Sequence, residues 1–171
     1  MAMDNSLLLL WLTLRELKTY NLKDVYKGAR VLQKVFFMLQ EGGLPFGYHF
    51  IWYVYGPMSD LLRDQIFNCE HYQDDFLYRD KPLSEYRLSP NISQKINLIM
   101  NGLRSETPGI TMEDQLLVAG TVLAFVRWED MIPADAITEV KKRFSKWPFD
   151  EDMMQHFIRS FLAEEKDVAA A

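Results

Sequence analysis

The sequence is poor in the residues that most covalent and metal-bound sites use. Cys69 is the only cysteine in 171 residues, which excludes an internal disulfide and fits the reducing cytoplasm. No glycine-rich phosphate-binding pattern and no Gly-x-Ser-x-Gly nucleophile motif is present. We therefore expect a cytoplasmic protein with no cofactor, no metal and no catalytic site.

Long hydrophobic runs are also missing. The longest apolar run near the start, Leu7 to Leu12, is far shorter than the roughly 20 residues that span a bilayer. Asp4 and the lack of a basic residue before this run argue against a secretory signal. The pattern continues into Leu14 and Leu17 at helical spacing, so a buried helix is predicted.

Positive charge is in deficit. There are 19 Lys and Arg residues against 24 Asp and Glu residues, which gives a net charge of −5 and a pI near 5.2. This balance does not favour a strongly basic nucleic-acid-binding surface. An apolar fraction of 49% is enough for a hydrophobic core, and the length fits one domain of ordinary size.

One short stretch does carry the atom types of metal ligands. A structural zinc site needs four ligands, and no second Cys or His pair follows this stretch at finger-like spacing. We therefore predict a polar loop here. An enzyme that acts through Cys69 and His71 is the third and least favoured function. The residues of the stretch are Cys69, Glu70, His71, Asp74 and Asp75.

Most of the chain has a helical pattern. Apolar residues recur at spacings of three and four over seven stretches, and several stretches begin with a capping residue or with proline. The start signals are Ser59, the capping pair Thr111 and Asp114, Pro133 and Asp150. The predicted helices are 5–20, 23–41, 60–68, 90–103, one that follows Thr111, 134–144 and one that follows Asp150.

Between the second and third helices the period changes to two. Residues 47–55 are rich in aromatic and β-branched side chains, which predicts a strand that Gly56-Pro57 ends. Because both faces of this strand are largely apolar, we expect it to be covered on both sides. The faces are Tyr48, Phe50, Trp52 and Val54 on one side, and His49, Ile51, Tyr53 and Tyr55 on the other.

A second β region is predicted after the third helix, where residues 74–79 and 85–88 are short extended candidates. The predicted fold class is thus mainly α (α+β). It is a compact bundle of about seven helices with a small antiparallel β element and a winged-helix-like centre.

The order of a helix and then a hairpin leaves a nucleic-acid-binding alternative open. The hairpin at 74–88 carries Arg79, Lys81 and Arg87 with interleaved tyrosines, but acidic residues in the same stretch offset their charge. A recognition helix usually brings several cations to the phosphates, and residues 60–68 contain one arginine. Nucleic acid is therefore not the favoured partner.

The aromatic residues are the remaining candidates for function. Tyrosine and tryptophan are enriched at protein interfaces because they bury a large area and keep a polar group. We expect Phe50 and Trp52 in the core, and Tyr53 and Tyr55 along a groove that faces a partner. The candidate partner-binding residues are Phe46, Tyr48, Tyr53, Tyr78, Arg79 and Tyr86.

Two blocks of the sequence resemble a known family. Residues 32–39 read Leu-Gln-Lys-Val-Phe-Phe-Met-Leu, and residues 50–62 contain Phe-x-Trp-x-Val-Tyr-Gly-Pro-x-Ser-x-x-Leu. Together they resemble the Panacea (SocA-like) antitoxin domain, and its YwgA-like relatives more closely. A looser third block extends the resemblance over most of the chain. It comprises Leu116-Leu117-Val118-Ala119, Lys142 and Trp147-Pro148-Phe149.

The resemblance implies one compact, mainly helical domain over 1–166, and the small residues at 167–171 predict a frayed tail. Panacea domains are similar to antitoxins that neutralise toxins by direct contact, and SocA-like members can deliver a toxin to a protease. No catalytic residue is implied. The motif positions are expected to be structural, and Lys34, if buried, should reach a carbonyl or carboxylate near Tyr55. These positions are Gln33, Lys34, Trp52, Tyr55, Gly56, Pro57 and Ser59.

The expected function is therefore that of a non-catalytic protein-binding regulator that resembles a Panacea-type antitoxin or adaptor. Its expected partner is a protein, such as a toxin, a protease or a defence component. A winged-helix-like nucleic-acid-binding regulator is the alternative, and a homodimer is left open.

Overall fold

The computed structural model describes residues 5–20, 29–68 and 83–170. In these ranges the chain is mainly α, with seven helices and one two-stranded antiparallel sheet, which confirms the predicted fold class. The elements are α1 (Asn5–Lys18), α2 (Ala29–Glu41), β1 (Ile51–Tyr53), β2 (Gly56–Met58), α3 (Asp60–Phe67), α4 (Pro90–Gly102), α5 (Met112–Trp128), α6 (Pro133–Arg143) and α7 (Glu151–Ala170), with a 3₁₀ turn at Leu83–Glu85 before α4.

The predicted start signals are confirmed where the structure describes them. Ser59 caps α3, since its hydroxyl accepts a hydrogen bond from the amide of Leu62. Thr111 and Asp114 form a reciprocal capping box at α5. The carboxylate of Asp150 accepts from the amide of Met153 in the first turn of α7. Local hydrogen bonding therefore sets these helix starts.

The hydrophobic core is built around α5. Every side chain of α5 from Gln115 to Phe125 is buried, so this helix is covered on all sides. Helix α2 crosses it so closely that a Cβ atom added at Gly120 would lie 2.5 Å from the Cβ atom of Lys34. Only glycine leaves room for this crossing, which brings α2 and β2 against the same stretch of α5.

The β element differs from the prediction. Only Ile51–Tyr53 is a strand, and Gly56–Met58 forms its antiparallel partner, so the Gly-Pro pair belongs to the sheet and does not end it. The chain reverses at Val54-Tyr55, and Gly56 follows with a φ of +95°, which glycine adopts without strain. The prediction that the strand is covered on both sides is wrong, because its outer side chains are exposed.

The predicted winged hairpin is not formed at its second strand. Residues 83–85 make a 3₁₀ turn, residues 86–89 are irregular, and the carbonyl of Tyr86 accepts a hydrogen bond from the guanidinium of Arg15. The first predicted strand, 74–79, lies outside the described residues. The backbone of α7 stays helical to Ala170, through most of the segment predicted as a frayed tail. Within the described ranges, no helix combines the length and the apolar content that crossing a membrane requires.

Candidate functional site: an anchored β-hairpin and the rings around it

Two glutamines of α2 hold the hairpin segment by its backbone. The Gln33 side chain donates to the carbonyl of Ser59 (2.9 Å) and accepts from its amide (2.8 Å). Gln40 does the same with Tyr48, at 2.8 Å for both bonds. The glutamines are two helical turns apart and face the same side. Helix α2 therefore fixes the chain both before β1 and after β2.

Lys34 anchors the strand itself. Its side chain is 2% exposed, and Nζ donates to the carbonyl oxygen of Pro57 at 3.0 Å. Proline has no amide hydrogen, so the opposed residues Trp52 and Pro57 cannot exchange two hydrogen bonds and must form the non-bonded pair of the ladder. The Pro57 carbonyl then points away from β1, where Lys34 supplies the donor that a further strand would supply. This confirms the expectation that a buried Lys34 reaches a carbonyl near Tyr55.

The side chain of Lys34 is buried and closely packed. Burial, and to a smaller extent repulsion from the Arg30 guanidinium, lower the pKa of Lys34 from its ordinary value of 10.5 to about 7. Gly56 completes the contact, since a Cβ atom there would lie 2.6 Å from Thr121 Oγ1 and 3.2 Å from Lys34 Cε. Lys34, Gly56 and Pro57 thus form one packed corner, as their motif positions predict.

The outer side of the hairpin is exposed. Its side chains are those of Ile51, Tyr53, Val54 and Tyr55, which are 45%, 51%, 63% and 41% exposed. Apolar residues of this size are usually turned inward in a strand that packs on a core. Here the hairpin is anchored from behind by α2, so its tip stands away from the core.

Two of the predicted partner-binding residues lie inside the protein. Phe46 and Tyr48 are each 5% exposed, and both rings pack against Phe36, at centroid distances of 4.9 and 6.2 Å. The Tyr48 hydroxyl donates to Gln65 Oε1 at 2.7 Å. Their expected place on a partner surface is therefore corrected to the core, because the chain runs back along α2 before it reaches the hairpin.

The inward face of the hairpin is as predicted. Trp52 is partly buried, and its ring centroid lies 4.6 Å from that of Phe125 and 5.8 Å from that of Trp128. This leaves Tyr53 as the member of the predicted partner-binding set that the structure places on an exposed surface of the hairpin. Tyr86 is partly buried beside α1, and Tyr78 and Arg79 lie outside the described residues.

A second pair of aromatic rings faces the tip from the turn after α6. Phe144 and Trp147 stack with centroids 4.2 Å apart and ring planes within 7°. The Tyr55 ring lies 6.5 Å from Phe144 and 6.2 Å from Trp147. An open groove of about 690 Å³ runs between the hairpin and Phe144. We call the hairpin-tip surface the set Ile51, Tyr53, Val54, Tyr55, Phe144 and Trp147.

Sequence reasoning missed the part of this surface after α6. The stretch at Trp147 matched the family resemblance loosely, but nothing in the local pattern places it beside Tyr55. The two segments are about 90 residues apart in the chain, and only the packing of α6 on α5 brings them together. A pair of aromatic residues just beyond a helix end was the one available signal.

Cations collect around the hairpin-tip surface although the protein is acidic overall. The guanidinium carbon of Arg30 lies 4.5 Å from the centroid of the Tyr55 ring, a cation–π geometry. Arg143 lines the groove and binds the carboxylate of Glu139 at 2.5 Å. Lys146 is exposed and lies in the turn that joins Phe144 to Trp147 in the chain. Neither Arg30 nor Lys146 has a salt bridge to any residue of the described ranges.

The residues considered for chemistry at the sequence level, Cys69 and His71, lie outside the described residues. Within the part of the chain that the structure describes, no group of three His, Cys, Asp or Glu side chains is arranged to hold a metal ion.

No protein-family model, curated protein or solved structure matches the chain. The resemblance to Panacea and YwgA-like domains stays a prediction. The arrangement in hand is an anchored hairpin whose exposed aromatic tip is bordered by cations.

Proposed function

We propose that this protein is a non-catalytic regulator, of the kind that Panacea-type antitoxins and adaptors represent, that binds a partner protein through its hairpin-tip surface. The observation that carries this proposal is the exposure of four large side chains on a hairpin that α2 holds in place. A contiguous exposed apolar patch on a folded domain is typical of a binding site.

The composition of the surface supports a protein partner. Tyrosine, tryptophan, phenylalanine and arginine are the residues enriched at protein interfaces, and the tip and its border contain all four types. Aromatic side chains with few rotatable bonds lose little conformational entropy on binding. The hydrogen bonds from Gln33 and Lys34 add to this, because an anchored hairpin does not have to be ordered when the partner binds.

The proposal is tested by capture from the native host. The tagged protein is compared with Val54→Asp and Tyr53→Asp, and bound proteins are identified by mass spectrometry after nuclease treatment. We expect one protein in near-equimolar amount with the parent chain, and at least a ~10-fold loss with either variant, which corresponds to about 1.4 kcal/mol.

The matched control is Leu98→Asp on α4. Its side chain is 45% exposed, a fraction similar to the 51% of Tyr53, but it lies on α4 and not on the hairpin. This variant should capture the same protein as the parent. Equal capture by all the variants, or release of the captured material by nuclease, would refute the proposal.

The antitoxin form of the proposal has its own test. The product of the neighbouring gene is expressed in a heterologous host with and without this protein. Restored growth with the parent chain and with Leu98→Asp, but not with Val54→Asp, is the expected result. If the neighbouring product is harmless, the regulator acts as an adaptor and not as an antitoxin.

A further inference from the structure

The two edges of the hairpin differ. On β2, the outward-facing carbonyl of Pro57 is bound by Lys34, and both backbone groups of Ser59 are bound by Gln33. On β1, the backbone amide and carbonyl of Trp52 point away from β2, because Trp52 and Pro57 are the non-bonded pair. Neither group of Trp52 has a hydrogen-bond partner among the described residues. Within the described ranges, one edge of the sheet is closed by α2 and the other carries no partner strand.

The open edge lacks the usual protection. Edge strands are commonly blunted by a lysine, a proline or a bulge that prevents another chain from pairing. The strand β1 reads Ile-Trp-Tyr and contains none of these, and Ile51 and Tyr53 on its outer face are about half exposed. An unpaired amide and carbonyl between two exposed apolar side chains are what an added strand requires.

The charge around the edge selects the occupant. Arg30 lies over the Tyr55 ring at the tip, and Lys146 is exposed in the turn after α6, whereas Arg143 is paired with Glu139 and the whole chain carries a net charge of −5. A second copy of the chain paired through the same edge would bring these cations together about a two-fold axis, which is unfavourable. A nucleic acid would bind the cations but would leave the Trp52 amide and carbonyl unpaired, and these two groups suit another peptide backbone.

We propose that the open edge of β1 binds an extended, acidic segment of the partner protein as a third strand of the sheet. The Trp52 amide donates to a carbonyl of that segment, and the Trp52 carbonyl accepts from one of its amides. Apolar side chains of the segment pack on Ile51 and Tyr53, and its carboxylates lie near Arg30 and Lys146. This inference rests on the proposed function and names the partner's binding segment.

The test uses defined peptides and the full-length protein labelled with ¹⁵N. The probe is a short synthetic peptide in which glutamate alternates with valine. One comparison peptide has lysine in place of glutamate, and another has N-methylated backbone amides on the edge that faces β1. Binding is followed by amide chemical shifts, and the hydrogen exchange of the Trp52 amide is measured in each complex.

We expect the glutamate peptide at saturation to slow the exchange of the Trp52 amide by at least ~10-fold. The lysine and the N-methylated peptides should each bind at least ~10-fold more weakly. Arg30→Glu should weaken binding of the glutamate peptide to a similar extent. Arg159→Glu, at an exposed arginine on α7, should leave it unchanged and serves as the charge-matched control.

Several outcomes would overturn the inference. They are an unchanged Trp52 amide with the glutamate peptide, equal binding of the N-methylated peptide, and displacement of the peptide by an oligonucleotide. Protection of Trp52 that rises with protein concentration alone would assign the edge to a second copy. A further outcome separates the two proposals. If Val54→Asp abolishes capture of the native partner, but the Trp52 amide stays unprotected in the complex of the parent chain with that partner, the proposed function stands and strand addition fails.

Discussion

The Nζ atom of Lys34 lies 3.0 Å from the carbonyl oxygen of Pro57, and through this contact a buried lysine takes the place of a neighbouring strand. Such a contact needs space at two positions that carry no side chain, Gly56 in the hairpin and Gly120 on α5. The family-like motif of the second helix and that of the hairpin are therefore one structural unit. Its effect is to fix the hairpin from behind and leave its tip available.

The charge of Lys34 should make the stability of the protein depend on pH. Its pKa is lowered from 10.5 to about 7 in the folded protein, so between these values the unfolded chain binds more protons than the folded one. The contribution of Lys34 to the free energy of unfolding should therefore rise with pH across this window, by at most ~1.4 kcal/mol per pH unit. Below about pH 7 the full destabilisation of a buried charge remains.

The measurement compares the parent chain with Lys34→Met in urea at about pH 7 and about pH 9. The free energy of unfolding of the parent minus that of the variant should increase with pH, because methionine cannot titrate. Arg30→Gln removes the nearby positive charge and should move the increase to higher pH. A difference that stays constant over the window would contradict a lowered pKa.

The Gln33 side chain should be important for stability. Gln33→Leu leaves the buried amide and carbonyl of Ser59 without their partners, and an unsatisfied buried group costs about 1–3 kcal/mol. We expect a loss of about 2 kcal/mol or more in urea denaturation. The control is Gln94→Leu, at an exposed position of α4, which should change stability by less than ~0.5 kcal/mol.

Gly120 should not tolerate a methyl group. In an isolated helix, alanine is favoured over glycine by about 1 kcal/mol. Here the added Cβ atom would lie 2.5 Å from the Cβ and 3.0 Å from the Cα of Lys34, so α2 and α5 would have to separate. We expect Gly120→Ala to destabilise the protein by about 1–3 kcal/mol in thermal or urea unfolding. A gain in stability would show that the helices cross less closely.

Tyr48 and Tyr53 should respond in opposite ways to the same change. Tyr48→Ala removes a core ring and the hydrogen bond to Gln65, and it should cost about 3–5 kcal/mol of stability. Tyr53→Ala removes an exposed ring and should alter stability by less than ~0.5 kcal/mol while it weakens partner binding. Unfolding and partner capture measured on both variants check this, and similar stability losses would contradict the assigned positions.

The helices could be predicted from the sequence because their signals are local. Apolar spacing identifies the buried face within a few turns, and the caps at Ser59, Thr111 and Asp150 are bonds between residues three apart. The buried lysine and its carbonyl partner could also be anticipated, since a lysine among apolar neighbours must find an acceptor. The helix predictions need only the sequence within one element. The Lys34 prediction needs only the high cost of burying a charge without a partner.

The exposure of the aromatic residues was decided by the tertiary structure. When both faces of a strand are apolar, a period of two cannot say which face is inward, and Phe46, Tyr48 and Tyr53 look alike in the sequence. Packing along α2 buries the first two, and the third lies on the outer face of β1, next to the inward-facing Trp52, and stays exposed. The meeting of Tyr55 with the rings after α6 depends on how α6 packs on α5. The sequence by itself determined the helices, because short-range sterics and hydrogen bonds set them, whereas only long-range packing decided how Gly56 and Pro57 join the sheet and which rings remain on the surface.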